Sequence, residues 1–186
     1  MVNLLQSGYV HVPARLRSDV FGRGSNGIKI ESDQPIAVEA LDIAEGSCSG
    51  MLVFPLVGLG RYYHVVNWYA PSIQAEFGVV TAEDDTMVEI TFPRNNGVIV
   101  PFEGRNYTDL EVISITLNAF ETIQLRDIGR NDLTGTRIVA SKPVAVFSGN
   151  FDTGKLRHQN RSFLRSLVTQ KNSNYFLHNT LNSLKS

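Results

Sequence analysis

Glu83-Asp84-Asp85 is the densest acidic run in the chain, and clustered carboxylate oxygens are the donors that calcium takes. The flanking runs 77–81 and 87–92 are β-like, and neighbouring side chains on a strand point to opposite faces. The triplet therefore reads as the solvated tip of a hairpin whose loop is 82–85. Gly22-Arg23-Gly24-Ser25-Asn26-Gly27 has the GxGxxG spacing of a dinucleotide-binding turn. A phosphate there would need a helix N-terminus directly after the last glycine. Ile28-Lys29-Ile30-Glu31 is strand-like and runs into a turn at Pro35, so a hairpin loop is expected and no cofactor.

His11, His64, His158 and His178 lack the HxH or HxxxH spacing of a metal pair, so no metal ligand is assigned. Cys48 stands alone between Ser47 and Ser49, with no histidine near it in sequence and no GxSxG elbow in the chain. Glycoside hydrolysis would need two carboxylates facing each other across a cleft. The residues to draw from are Glu83, Asp84, Asp85, Glu103, Asp109 and Glu111, and no spacing pairs them. No catalytic residue is assigned, and the chain reads as a binding or structural protein, not an enzyme.

Binding chemistry is better represented. Tyr62, Tyr63, Trp68 and Tyr69 could stack on sugar rings or anchor a protein interface, with half of them facing the core if the segment is a strand. Asn106-Tyr107-Thr108 and Asn160-Arg161-Ser162 are acceptor sequences for N-glycosylation, which makes Asn106 and Asn160 glycosylation candidates. A net charge of −1, with 17 basic against 18 acidic residues, argues against a nucleic-acid partner held by phosphate neutralisation. No apolar run reaches the roughly 18 residues of a membrane span. The opening MVNLLQSGY lacks the basic and apolar regions of a secretion signal, so either the protein is cytosolic or Met1 is not its natural start.

These residues must be held by strands. Short runs of β-branched and aromatic residues at period two recur at 9–12, 28–30, 36–38, 51–54, 62–68, 77–81, 87–92, 98–102, 113–117, 122–125, 137–140 and 144–147. Glycine, proline and asparagine punctuate them, with Asn26-Gly27 and Asn96-Gly97 expected to make tight turns at positive φ. The pattern predicts an all-β chain of sandwich or jelly-roll-like sheets.

Residues 27–42 read GIKIESDQPIAVEALD, and residues 135–150 read GTRIVASKPVAVFSGN, identical at five of sixteen positions. The segment Tyr63-His-Val-Val-Asn67 is echoed more weakly by Tyr175-Phe-Leu-His-Asn179. An internal duplication predicts tandem units, residues 1–115 and an incomplete second unit 116–186, within a fragment of a longer repetitive protein. Burial should fall on Ile28, Ile30, Ile36 and Val38 in the first copy and on Ile138, Val144 and Val146 in the second, leaving Lys29 and Arg137 outward.

Several ordered motifs carry a family resemblance: LVFP at 52–55 with GRYY at 60–63, VVTAEDDTMVEITFP at 79–93, LNAFETIQL at 117–125, DLTGTRI at 132–138 and SKPVAVFSGN at 141–150. Together they resemble the N-terminal domain family of IgGFc-binding proteins. The resemblance implies a secreted, non-catalytic adhesion module within a larger mucus or matrix protein. It also implies a protein or glycoconjugate ligand, of immunoglobulin Fc or mucin type. The family continues beyond this point with a cysteine-bearing segment, which 158–167 lacks, and no ligand residue carries over. The alternative expectation is a self-associating structural repeat with no specific ligand.

Overall fold

The computed structural model describes residues 8–13, 21–44, 47–68, 74–151 and 174–178. All regular structure there is β, apart from a 3-10 turn at Leu56–Gly58. The strands are β1 (Gly22–Gly24), β2 (Gly27–Glu31), β3 (Val38–Ala44), β4 (Ser47–Val53), β5 (Gly60–His64), β6 (Gln74–Thr81), β7 (Thr86–Thr91), β8 (Val100–Phe102), β9 (Arg105–Tyr107), β10 (Val112–Leu117), β11 (Thr122–Arg126), β12 (Arg137–Phe151) and β13 (Asn174–His178).

The long strand β12 organises the principal sheet. Its C-terminal half pairs with β6 from Val144 opposite Thr81 to Phe151 opposite Gln74. Its N-terminal half pairs with β7 from Arg137 opposite Thr91 to Ala140 opposite Val88. Both pairings are antiparallel, so β6 and β7 run in the same direction along β12, one after the other. The pair β10 and β11 repeats the device, with β10 against β7 and β11 against β6. Three long strands thus lie side by side, each interrupted near its middle: at 82–85, at 118–121, and at a register shift in β12 between Val139 and Val144. Pro143, which has no N–H to donate, sits within that shift.

This arrangement corrects the expected hairpin at 82–85. The acidic triplet sits at a jog between collinear strands, because β12 offers an edge long enough for both. Across the jogs, the Thr81 N–H donates to Glu121 O at 3.1 Å and the Phe120 N–H to Thr81 O at 2.9 Å. The Ala119 N–H donates to Asp84 Oδ1 at 3.0 Å, Lys142 Nζ to Asp84 O at 2.6 Å, and the Met87 N–H to Ser141 Oγ at 2.9 Å. Asp85 and Phe120 take positive φ, 51° and 66°, to make the turns. The jogs let the sheet bend, as strands do where they pass round a sheet corner.

Alternation then sends one face of all three long strands inward. Phe77, Val79, Val88, Ile90, Ile123, Leu125, Ile138 and Val144 form a continuous concave core. The β8–β9 hairpin closes it, inserting Val100 and Phe102. Its turn, Glu103-Gly104, has φ of 45° and 82°, the paired positive values of a two-residue hairpin turn. Tyr63 also packs inward and its hydroxyl donates to Val144 O at 2.6 Å. On the other face of the β6–β11–β12 half, Val80, Ala145 and Phe147 pack against Met51, Leu56, Leu59 and Phe120. Met51 links this layer to a small cluster around Val53 that takes in Ile28, Ile30 and Val38.

The two copies of the expected duplication do different things. Residues 27–42 are split between β2, which pairs with β13, and β3, which pairs with β4. Residues 137–150 are one strand at the centre of the main sheet. Lys29 and Arg137 are exposed while Ile138, Val144 and Val146 are buried, so the expected alternation holds there. Ile36, expected on a buried face, is 39% exposed because it precedes β3 in the connecting turn. The boundary expected between residues 115 and 116 falls inside β10, and one sheet draws strands from both sides of it. The Asn26-Gly27 turn also differs. Gly27 is needed for space, since a Cβ there would lie 2.7 Å from Phe120 O, and its N–H donates to that same oxygen at 3.0 Å.

Candidate binding face

Where the concave side is filled, the convex side of the other sheet half is open. Cross-strand partners in an antiparallel sheet share a face. One row runs Tyr62, Val139, Glu89, Ser114 across β5, β12, β7 and β10, and the next runs His64, Arg137, Thr91, Val112. Met87 and Thr116 extend the face by one more pair. All of these are exposed or half-buried, with Tyr62 77% exposed and Met87 and Val112 each 48% exposed. The face therefore mixes an amphipathic aromatic, aliphatic side chains, hydroxyls and charges of both signs. That is the composition of a protein-recognition surface, in which an aromatic anchor supplies contact area and a polar surround supplies direction.

Just past β5 the chain leaves the sheet. The Ser148 hydroxyl donates to Val66 O at 2.9 Å and Asn150 Nδ2 to Trp68 O at 2.9 Å. Asn67 Nδ2 donates to both Glu76 O and Gly149 O, at 3.0 and 2.6 Å. These bonds fix 66–68 across the end of the curled sheet and leave Trp68 71% exposed. Of the four aromatics singled out in the sequence, Tyr63 is thus core, Tyr62 and Trp68 face solvent in different places, and Tyr69 lies outside the described residues.

A second polar constellation is buried behind the sheet. Glu76 and Arg126 are cross-strand partners, and Arg126 Nη2 and Nε donate to Glu76 Oε2 at 2.8 and 3.2 Å. Gln124 adds a further hydrogen bond to the carboxylate, next to Gly78, which has no side chain to fill the space. The Arg126 guanidinium lies 3.6 Å from the centroid of the Phe21 ring, a cation–π contact. Burial pushes the Glu76 carboxyl above the usual carboxylate range, outweighing the pull of Arg126, and burial also lowers the Arg126 guanidinium. The pair is a satisfied structural bridge. Its sequence signal was faint: one glutamate and one arginine, each the only charged residue of its strand.

The remaining candidates sit apart. The GxGxxG run forms β1 and leads directly into β2, not into a helix; β1 pairs with β11 and β2 with β13, so the run crosses between two sheets and the expected hairpin loop is not formed. Asp109 accepts the N–H groups of Gly97 and Val98, each at 3.0 Å, and these bonds hold its carboxyl below the usual range. Glu111 accepts the Thr108 N–H at 2.6 Å and pairs with Arg105, and it too is held low, chiefly by the Thr108 bond. Asp84 is spent on the jog, and Glu103 on the tip of the β8–β9 turn. No group of three or more histidine, cysteine, aspartate or glutamate side chains suited to a metal is present among the described residues. Asn106 is exposed in β9, while Asn160 and His158 lie outside the described residues.

The family model described as IgGFc binding protein matches residues 49–164, a span that takes in every strand from β5 to β12. The IgGFc-binding protein of Homo sapiens is 32% identical over 127 residues, 67% of this chain. The chain spans about 2% of that relative's length. No solved structure matches. The matched span holds every strand of the main sheet except β1, including all four strands of the convex face, and the chain belongs to the IgGFc-binding protein family.

Proposed function

We propose that this chain is a non-catalytic, extracellular binding module and that its convex face docks an immunoglobulin Fc region. The observation that carries the reading is the Tyr62 row: an exposed tyrosine beside Val139, flanked by Met87, Val112 and the opposite charges of Arg137 and Glu89. Family membership supplies the ligand class, since the human relative is named for binding IgG Fc. The binding reading is further supported by Asp84, Asp109 and Glu111, whose carboxylates accept backbone N–H groups in turns. No helix among the described residues is long and apolar enough to cross a membrane.

The test is a titration of the full chain against immobilised Fc, with Tyr62→Ala and Met87→Ala alongside. Loss of a central aromatic anchor costs about 2 kcal/mol or more, so Tyr62→Ala is expected to weaken binding roughly thirtyfold. Fc binding unaffected by both substitutions would move the site elsewhere. Absence of Fc binding would overturn the ligand, and mucin glycoprotein would be the next probe.

Self-association is a second reading, favoured by one observation. β10 and β1 end the main sheet, each with a single pairing partner among the described residues, and an unpaired edge is a template for another strand. Sedimentation of the chain across a concentration series separates the two, because a monomer throughout disfavours assembly.

A further inference from the structure

We propose that Asn106 carries an N-linked oligosaccharide, and that this glycan stands on the side of the molecule opposite the convex face. The inference rests on the extracellular part of the reading above and is independent of the Fc ligand.

The acceptor sequence Asn106-Tyr107-Thr108 occupies β9 and the residue that follows it. In the β8–β9 hairpin, Phe102 pairs with Arg105, Pro101 with Asn106 and Val100 with Tyr107. Alternation therefore divides the hairpin into two faces. Phe102 and Val100 enter the core, and Tyr107 packs against Phe92 and Phe102 with the Arg105 guanidinium 4.0 Å above its ring. Pro101 and Asn106 occupy the other face, which looks away from the core. Asn106 is exposed, and its side-chain amide makes no hydrogen bond to any described residue. A bulky substituent there meets no packed surface and breaks no contact.

The same alternation locates the glycan relative to the candidate binding face. The hairpin covers the concave side of the sheet, so its outer face is separated from Tyr62, Val139 and Met87 by the core and the sheet itself. A glycan at Asn106 would cap the lid and leave the convex face clear.

The chemistry balances with a polyprenyl-pyrophosphate-linked oligosaccharide as donor. The Asn106 amide nitrogen forms a bond to the anomeric carbon and loses a proton, the bond from that carbon to the pyrophosphate oxygen breaks, and polyprenyl pyrophosphate leaves. Transfer onto the extended chain precedes closure of the turn in which the Thr108 hydroxyl donates to Glu111 Oε2 at 3.0 Å.

The test is translation of the full chain behind a cleavable secretion signal with microsomes, reading only protease-protected chains. An Asn160→Gln background isolates the site. One glycosidase-sensitive increment is expected in that background, lost on adding either Asn106→Gln or Thr108→Ala. Protected Asn160→Gln chains that run unshifted would overturn the proposal. Fc titration before and after enzymatic deglycosylation reads the second clause: unchanged affinity is expected, and a change of tenfold or more would place the glycan beside the ligand. Loss of Fc binding altogether leaves the gel shift intact, so the two readings fail separately.

Discussion

Glu76 and Arg126 hold each other's charge in the interior, and neither is tolerable there alone. Removing one partner of a buried pair costs about 3–5 kcal/mol, whereas replacing both with apolar groups is often neutral. Arg126→Met is thus expected to lower the urea midpoint sharply, and Glu76→Leu with Arg126→Met to recover most of the loss. A double variant no more stable than the single would show that the pair is not isolated. Asp109 illustrates the opposite case, a surface carboxylate held low by backbone N–H donors. Its contribution is present above the ordinary carboxylate pKa and is lost as pH falls through the depressed folded value, so it fades below about pH 4. Asp109→Asn is expected to flatten the acid limb of a stability profile, and an unaltered limb would count against this role. Neither function was legible from residue type, because an acidic residue that clamps a turn and one that lines a cleft look the same until the backbone around them is known. Tyr62 and Tyr63 were legible in part: period two required one in and one out, and the pairing with β12 decided which.

Jogs, at the level of elements, replace hairpins. The strands at 77–81, 87–92, 113–117 and 122–125 were plain from period two, and all four are strands. Their connection was not, because a four-residue polar link such as Ala82-Glu-Asp-Asp85 serves a reversal and a sideways step equally well. Only the length of β12 distinguishes them, and Pro143 in the middle of that run argued locally for a break. The jogs depend on Thr81, buried between strands, whose hydroxyl donates to Asn118 O at 2.5 Å. Thr81→Val keeps the shape and removes the donor, and the expected cost is about 1–2 kcal/mol by thermal or urea unfolding. A Thr81→Val variant as stable as the parent would mean that the bend is held by packing alone.

For the whole molecule, β12 joins what the duplication would have kept apart. Five matched positions between 27–42 and 135–150 are real in the sequence, but strand, turn proline and strand can fold as two elements or as one bulged element, and pairing partners make the choice. A chain ending at residue 115 cuts β10 and removes β11 and β12, leaving β6 and β7 with no strand between them and β5. Such a fragment is expected to show neither cooperative unfolding nor dispersed amide resonances. A folded, cooperative fragment would restore an independent first unit.

The centrality of β12 also sets an order of events during synthesis. It leaves the ribosome after β5, β6 and β7, and all three wait for it. Until residues 137–151 emerge, the nascent chain carries open strand edges and the apolar faces of β6 and β7 with no lasting partner, the state most prone to misassociation. Closure then needs contacts between segments far apart in sequence, which makes folding slow. Any sugar added at Asn106 would be in place by that time, on a chain that has not yet closed, and would keep the waiting strands soluble while the last of them arrives.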